Sequence, residues 1–141
     1  MSKNILITGC SSGLGLALTN YYLEKGFKVY GISRNKPDIK NENFIHKSFD
    51  LSNISKIKEE LSAFILDIKE INTVFLNAGM LGKIKILSEL SIEELNEVYA
   101  LNVYANKKLL DILMNIKVEN IILISSGASK NGYKGWGSYS L

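Results

Sequence analysis

The sequence predicts an α/β fold in which a doubly wound parallel sheet of about five strands is covered by helices on both faces. The first observation is that short apolar runs alternate with longer stretches whose apolar residues recur at helical spacing. The second is the character of those runs: Asn4–Thr8 is apolar and bounded by Gly9, as expected of a buried parallel strand. Because crossovers between parallel strands are right-handed, strands that alternate with helices give a doubly wound sheet.

The first half of the chain contains three of the predicted strands. Residues 14–25 follow the first strand and form a predicted helix, which Gly26 ends at its C-cap position. Lys28–Ser33 is the second predicted strand, and residues 35–43, which are polar and hold the only proline, are a predicted loop. Phe44–Ser48 is a weaker third strand.

The second half of the chain continues the alternation of helix and strand. Residues 52–68 repeat Ile, Leu and Phe at helical spacing and predict an amphipathic helix, and residues 73–76 are the fourth predicted strand. Residues 91–94, Ser-Ile-Glu-Glu, have the form of a capping box and open a long helix. Residues 120–125 are the fifth predicted strand, and the last sixteen residues, which hold four glycines, are a predicted loop.

Composition limits the class of protein. Hydrophobic residues make up 46% and charged residues 22% of the chain, which is usual for a globular protein and predicts a single domain over residues 1–141. The net charge of +3 is spread along the chain, so we expect neither a nucleic-acid partner nor a membrane. The single cysteine, Cys10, allows no internal disulfide, which suits a cytoplasmic location. His46 has no partners at metal-ligand spacing, so we expect no metal.

A glycine-rich turn joins the first predicted strand to the first predicted helix. Glycine permits positive φ and close backbone approach, and the amides at a helix N-terminus attract an anion such as a pyrophosphate. The spacing G-x-x-x-G-x-G differs from the usual G-x-G-x-x-G, and a plain strand-to-helix turn also needs glycine for steric reasons. Its place between an apolar strand and a helix favours phosphate binding. The residues of this turn are Thr8, Gly9, Cys10, Ser11, Ser12, Gly13, Leu14 and Gly15.

The glycine turn resembles the cofactor motif of the short-chain dehydrogenase/reductase family. Asp50-Leu51 after the third strand looks like the family's adenine-contacting pair, although Asp50 is also a candidate cap for the next helix. Asn77-Ala78-Gly79 after the fourth strand looks like the family's Asn-Asn-Ala-Gly motif, with leucine in place of the first asparagine. The resemblance covers essentially the whole chain and implies a Rossmann-like domain that binds NAD(P).

Three further residues match the family's catalytic residues in order and spacing. Asn102 lies in the long helix where the family has a catalytic asparagine, and Ser126 follows the fifth strand. Tyr139 follows Ser126 by thirteen residues, a separation that the family commonly uses. Ser125 and Tyr133 are the competing candidates, and Tyr133 lies too close to Ser126. The resemblance implies that the serine polarises and the tyrosine protonates a carbonyl oxygen during hydride transfer.

The family also has a lysine four residues after the tyrosine, where a cation lowers the tyrosine pKa. This sequence ends two residues before that position, so we expect the chain to lack the family's C-terminal strands and helices and to turn over little substrate. The resemblance implies an oxidoreductase that acts on a small-molecule carbonyl or alcohol. The alternative is a dinucleotide-binding module without catalysis, although such a module needs none of the three catalytic matches.

The end of the second strand bears on which dinucleotide binds. NAD-preferring folds usually place an acid there to hold the ribose 2′-hydroxyl, whereas this chain has Ser33 followed by Arg34. A guanidinium can bind a 2′-phosphate bidentately, so we expect NADP(H) to be preferred over NAD(H). The alternative is that Arg34 is a solvated loop residue.

The family usually assembles into homo-oligomers through the long helix and the helix that follows the catalytic tyrosine. With the latter absent from the sequence, we expect the apolar face of Leu109, Leu110 and Leu113 to lack part of its cover. Exposed apolar patches seldom stay bare, so we also expect self-association.

Overall fold

The computed structural model describes residues 3–140 and contains a five-stranded parallel sheet. The strand order is β3-β2-β1-β4-β5, so the direction of winding reverses between β1 and β4 and opens a crevice at the carboxyl ends of these strands. This arrangement confirms the predicted α/β fold. The strands are β1 (Asn4–Thr8), β2 (Lys28–Ser33), β3 (Phe44–Ser48), β4 (Glu70–Leu76) and β5 (Lys117–Leu123).

Helices connect the strands and begin and end with the signals seen in the sequence. Gly26, with φ +80°, follows the first helix, and the capping box is formed, with Ser91 Oγ accepting from the Glu94 amide at 3.1 Å. In this described part of the chain, none of the helices has the length and apolar character needed to cross a membrane. The helices are α1 (Gly13–Glu24), α2 (Ile57–Leu66), α3 (Ile92–Tyr99), α4 (Ala105–Leu113) and α5 (Gly137–Ser140).

The apolar core lies on both faces of the sheet because successive strand residues point to opposite sides. In β1, Ile5 and Ile7 pack with residues of α1, whereas Leu6 packs with residues of α2 and α4. All three side chains are fully buried. A strand that is apolar on both faces therefore needs helices on both sides of the sheet, as predicted.

The bounds of two strands differ from the predicted ones. The fourth strand begins at Glu70 rather than at residue 73, and the fifth spans Lys117–Leu123 rather than residues 120–125. The two strands pair in parallel register from Glu70 and Lys117 to Leu76 and Leu123. Lys117 Nζ lies 2.6 Å from Glu70 Oε1, so the exposed start of the pair carries charged residues. Apolar content alone does not mark such a strand end.

The predicted helices also differ in detail from the observed ones. The predicted helix over residues 52–68 begins with a 3-10 turn, Ile54–Lys56, and its α-helical part ends at Leu66. The long helix is interrupted by a wide π-helical turn, Ala100–Tyr104, which separates α3 from α4. π-Helical turns are frequent at functional sites, and this one contains Asn102.

The C-terminal segment is more ordered than the predicted loop. It contains a 3-10 turn, Gly127–Ser129, and α5, whose start is fixed by Trp136 O accepting from the Tyr139 amide at 3.0 Å. Before α5, the Lys85 amide donates to Gly135 O at 2.9 Å, and Lys85 forms a parallel backbone bridge with Trp136. The segment is thus attached to the loop between β4 and α3, which brings Tyr139 over the edge of the sheet.

The expectation of a bare face on the long helix is wrong. Leu109 and Leu113 are 0% and 2% exposed because α4 packs against α2, and Leu110 is half-buried. The uncovered apolar surface lies instead on the edge strand β5 and the residue after it. Its members are each 40% exposed or more: Ile121, Ile122, Leu123 and Ile124.

Candidate functional site

Two cavities open at the carboxyl ends of the strands, where the switch point favours ligand binding. The first, of about 920 Å³, lies between the glycine turn, the end of β2 and α3. The second, of about 530 Å³, lies between the π-helical turn and the C-terminal segment. Residues 77–80 line both cavities, so a single extended ligand can reach from one to the other.

Most of the residues predicted to bind cofactor line the first cavity. The predicted residues that do so are Gly9, Ser11, Ser12, Ser33, Arg34, Asp50, Leu51, Asn77, Ala78 and Gly79. The other four, Thr8, Gly13, Leu14 and Gly15, lie in or beside the turn without lining the cavity, and three of these determine its shape.

The glycine turn has the backbone that an anion site requires. Gly9 (φ +69°) and Gly13 (φ +53°) adopt left-handed conformations that residues with a β-carbon rarely take. Ser12 is extended at the start of α1, and within residues 3–140 no side chain caps the first turn of that helix. The amides of this first turn are therefore left to bind an anion.

Close packing under the turn explains the remaining glycine. A β-carbon at Gly15 would lie 2.0 Å from Gly9 O and 2.7 Å from Asn77 Nδ2. At Gly9 itself, a β-carbon would lie 3.0 Å from Ala78 Cα. The helix, the turn and the end of β4 thus approach each other more closely than side chains allow.

Thr8 and Asn77 join the end of β1 to the end of β4. The buried Thr8 Oγ1 accepts from the backbone amides of Asn77 and Ala78, both at 3.0 Å. Asn77 Nδ2 donates to Thr8 O at 3.1 Å and to Gly9 O at 3.3 Å. The side chains of Thr8 and Asn77 therefore hold the glycine turn in place.

Arg34 is the cationic side chain at the end of β2. It is exposed and lines the first cavity, and its carbonyl accepts from Ser48 Oγ at 2.6 Å. Ser33 is only 6% exposed, and its hydroxyl donates to Asn35 O at 2.7 Å. The serine hydroxyl is directed into the protein, so the guanidinium is the group presented to a ligand.

Asp50 follows the end of β3 and lines the first cavity. Hydrogen bonds from Ser52, through Oγ at 2.7 Å and the amide at 3.0 Å, together with the charge of Arg34, hold the pKa of Asp50 below its ordinary value although partial burial opposes this. Asp50 does not cap the next helix, because Asn53 and Lys56 occupy the cap positions there. The carboxylate remains ionised and faces the cavity.

Cys10 is a packing residue of the turn. Its side chain is fully buried, and Sγ donates to Ser33 Oγ at 3.3 Å. Burial raises the pKa of the Cys10 thiol, so the neutral form is favoured and nucleophilic chemistry is disfavoured. This agrees with the interpretation of Cys10 as a small residue that fits the loop.

Asn102 lies in the π-helical turn and holds the loop that follows β4. Its Oδ1 accepts from the Met80 amide and its Nδ2 donates to Met80 O, both at 2.9 Å. Its carbonyl accepts from Asn106 Nδ2 at 3.0 Å. The Asn102 side chain therefore fixes residues 77–80, the wall shared by the two cavities.

The second cavity brings together the three predicted catalytic residues Asn102, Ser126 and Tyr139. Ser126 Oγ accepts from the Ala128 amide at 3.2 Å, which leaves its own proton to donate to a ligand. Tyr139 is half-buried and contributes a further hydroxyl to a cavity wall that also includes Ser125 and Ser129. Two hydroxyl donors on one cavity can together polarise and protonate a carbonyl oxygen.

The two competing candidates behave differently in the structure. Ser125 also lines the second cavity, so its hydroxyl stays an alternative to that of Ser126. Tyr133 is 49% exposed, does not line either cavity and contacts the Trp136 ring at 5.2 Å. The geometry therefore favours Tyr139 over Tyr133.

Several residues of the cavity walls were not foreseen from the sequence. Trp136 and Asn106 line the second cavity beside Tyr139, and α3 contributes polar side chains to the first. The only signal for Trp136 was its being the single tryptophan, in a glycine-rich segment. The polar residues from α3 share one helical face at spacings of three and four: Glu93, Asn96 and Glu97.

The sequence is similar to those of known proteins. A family model described as short chain dehydrogenase matches residues 3–141. The chain is similar to benzil reductase ((S)-benzoin forming) of Bacillus subtilis (strain 168), with 34% identity over 95% of this chain and 59% of that protein. It is also similar to a benzil reductase ((S)-benzoin forming) of Bacillus cereus, with 34% identity over 97% of this chain and 61% of that protein.

The fold agrees with solved structures of this class. A short-chain dehydrogenase/reductase from Burkholderia vietnamiensis superposes with a TM-score of 0.85 at 26% identity, over 97% of this chain and 71% of that one. The chain spans about three fifths of the length of the two curated relatives.

Proposed function

Because this chain belongs to the short-chain dehydrogenase family, we propose that it is the dinucleotide-binding domain of an NADP(H)-dependent oxidoreductase. The reaction is hydride transfer between the nicotinamide ring and a small carbonyl or alcohol. The observation that carries this proposal is the pair of cavities joined by residues 77–80, one beside an anion-binding turn and one beside two hydroxyl donors.

The residues of the first cavity fit a dinucleotide. The pyrophosphate fits the uncapped start of α1, where glycine at positions 9 and 15 lets the turn, the helix and the end of β4 approach each other closely. We assign Asp50 and Leu51 to the adenine ring and residues 77–79 to the ribose next to the nicotinamide, and the fact that all of them line the first cavity supports this assignment. When bound there, the dinucleotide supplies or accepts the hydride.

The residues of the second cavity supply the proton chemistry. Reduction of a carbonyl develops negative charge on its oxygen, which the Ser126 hydroxyl stabilises and the Tyr139 hydroxyl protonates. Asn102 acts by holding Met80 and the shared wall, so it positions the two ends of the site relative to each other.

Arg34 supports the preference for NADP(H). Its exposed guanidinium is placed at the end of β2, where a ribose 2′-phosphate would lie, and a bidentate pair with phosphate is among the stronger polar contacts. We expect NADP⁺ to bind at least about tenfold more tightly than NAD⁺, and Arg34→Ala to weaken NADP⁺ alone. Lys40→Ala, an exposed cation in the following loop, is the matched control. Equal affinities in the unmodified protein would refute the preference.

The second cavity also supports an aromatic carbonyl substrate. The names of the two Bacillus relatives specify benzil, a diketone with two phenyl rings. Trp136, Met80 and Leu81 give the cavity apolar walls beside Tyr139. We expect Trp136→Leu to raise KM for benzil more than for an aliphatic diketone such as 2,3-butanedione.

The catalytic roles are tested by NADPH oxidation with a panel of ketones and aldehydes. We expect Tyr139→Phe and Ser126→Ala to lower kcat about 100-fold or more, because general acid–base catalysis contributes about 10²–10⁴-fold. Tyr133→Phe is the matched control and should leave kcat unchanged. A protein that binds NADPH but oxidises it no faster than the Tyr139→Phe variant would be a dinucleotide-binding module without catalysis.

A further inference from the structure

A polar network lies beneath the end of β2, beside the position proposed for the ribose 2′-phosphate. His46 on β3 lies on the same side of the sheet as its ladder partner Gly31, next to the glycine turn. Its Nε2 lies 2.8 Å from Ser33 Oγ, and Cys10 Sγ lies 3.3 Å from the same oxygen. Three separate parts of the chain therefore meet at one hydroxyl.

The proton positions in this network follow from what each group can donate. Ser33 Oγ has a single proton, and its partner at 2.7 Å, Asn35 O, can only accept. The serine proton is thus given to Asn35, and Ser33 Oγ must accept from both His46 and Cys10. His46 therefore carries its proton on Nε2, and among residues 3–140 no group hydrogen-bonds its Nδ1.

We propose that His46 is a specificity-determining residue that strengthens binding of the 2′-phosphorylated dinucleotide when its ring is protonated. The inference rests on the proposed NADP(H) function, because it concerns the 2′-phosphate. A second proton enters at Nδ1 and leaves the Nε2–H bond to Ser33 in place. Protonation therefore adds a positive charge to the end of β2 without disturbing the network that shapes it.

The position of this charge makes it effective. Ser33 and Arg34 line the first cavity, and the ring is one hydrogen bond behind Ser33. A phosphate against Arg34 is thus attracted by the exposed guanidinium and by a half-buried imidazolium behind it. Charges within about 10 Å in a partly buried site change affinity by about three- to tenfold.

The groups around His46 determine its charge in the free protein. Partial burial, and then the positive charge of Lys36 in the loop after β2, lower the pKa of His46 below its ordinary value. The glycine turn contributes the neutral Cys10 thiol, and β3 contributes the Phe44 ring at 6.0 Å. A bound phosphate opposes the effect of Lys36, so it favours the protonated ring.

The sign of the pH dependence follows from this arrangement. Because phosphate binding favours protonated His46, affinity for NADP⁺ increases as pH falls from the pKa of the ring in the complex to its pKa in the free protein, which lies below the ordinary value. The 2′-phosphate itself gains a proton near pH 6, which opposes the increase at lower pH. NAD⁺ lacks the 2′-phosphate and shows a smaller change.

The test uses the fact that His46 is the only histidine in the chain, so its ring resonances are unambiguous in NMR spectra. The ring is titrated in the free protein, with saturating NAD⁺ and with saturating NADP⁺. Binding constants for both dinucleotides are measured across the same pH range for the unmodified protein and for His46→Gln. Glutamine keeps a donor for Ser33 and removes the charge.

We expect the titration midpoint of His46 to be higher with NADP⁺ than with NAD⁺, with the free ring on the Nε2–H tautomer. His46→Gln should leave NAD⁺ affinity unchanged. It should remove the increase in NADP⁺ affinity, about three- to tenfold, between pH 8 and a pH below the midpoint of the free ring. Equal midpoints with the two dinucleotides, or an unchanged pH dependence in His46→Gln, would overturn the role of His46. If NADP⁺ shows no preference over NAD⁺ at any pH and Arg34→Ala has no effect, the NADP(H) function fails instead.

Discussion

Replacing Gly15 with alanine tests whether the anion-binding turn depends on close backbone approach. The added β-carbon would lie 2.0 Å from Gly9 O and 2.8 Å from the carbon of the same carbonyl. Real β-carbons essentially never come closer than 3.0 Å to such atoms, so α1 and the turn must separate by about 1 Å. The obstructing group is the backbone carbonyl of Gly9, the residue after β1. The Gly9 amide donates to Ile32 O at 2.8 Å and its oxygen accepts from Asn77 Nδ2 at 3.3 Å, so this backbone has little freedom to move.

We expect Gly15→Ala to lower the free energy of unfolding by an amount at the upper end of the range for overpacked sites. Forcing extra atoms into a packed site lowers the free energy of unfolding by about 1–3 kcal/mol. Because the obstructing atoms here belong to the backbone, we expect a loss of about 3 kcal/mol. For a domain of this size that corresponds to a fall in Tm of about 10 °C. The shift also moves the amides that bind the pyrophosphate, so we expect NADP⁺ affinity to fall by about tenfold or more.

The assay combines thermal unfolding with NADP⁺ titration, and Gly127→Ala is the matched control. A β-carbon at Gly127 meets no atom of the described residues within 4 Å, and its φ is not in the left-handed region. Gly127→Ala should therefore unfold within about 2 °C of the unmodified protein. If Gly15→Ala behaves like Gly127→Ala in both measurements, the reasoning from close approach is wrong.

Three further predictions concern stability and association. Thr8→Val leaves two backbone amides without their acceptor and should lower the free energy of unfolding in urea by about 2–4 kcal/mol, whereas Thr8→Ser should lower it by less. Hydrogen bonds from Lys85 and the Ser91 amide, and then from Lys83, hold the pKa of Glu94 at about 2. The stability that Glu94 contributes is therefore present above pH 4.5 and is lost as pH falls from 4.5 to 2. Acid unfolding should thus show a difference between the unmodified protein and Glu94→Gln that disappears by about pH 2. Light scattering should show self-association through the exposed β5 edge, which Ile122→Lys reduces, and a monomer at all concentrations would argue against it.

The sequence predicted the bounds of the first three strands accurately. The bounds of Asn4–Thr8 and Lys28–Ser33 agree with the structure because Gly9 and Arg34 follow these runs directly, and the bounds of Phe44–Ser48 agree as well. The β5 strand was placed three residues late because Lys117 and Glu119 are stabilised by partners on β4, and pairing between distant residues leaves no local signal. The start of β4 was missed for the same reason.

The candidate site was predicted as a set of residues but not as a geometry. The π-helical turn at Asn102 escaped prediction because apolar spacing in the sequence is the same for a continuous helix and for one with a single wide turn. The role of Asn77 was also only partly foreseen, since its amide hydrogen-bonds Thr8 and Gly9 across more than sixty residues of sequence. Spacing in the sequence identifies the candidate site residues, while contacts between distant strands determine which hydrogen bonds those residues form.

The second cavity gives the strongest reason to infer catalysis rather than binding alone. Both classes of function need the first cavity and its glycine turn. Only catalysis needs the hydroxyl groups of Ser126 and Tyr139 in the second cavity. The wall next to them, residues 77–80, is held by the Asn102 side chain through Met80. Ser126 and Tyr139 are only half-buried and lie outside the apolar core, whereas Asn102 also has a structural role because its side chain holds Met80. The hydroxyl groups of Ser126 and Tyr139 beside the first cavity therefore support the proposed proton transfer to a carbonyl oxygen.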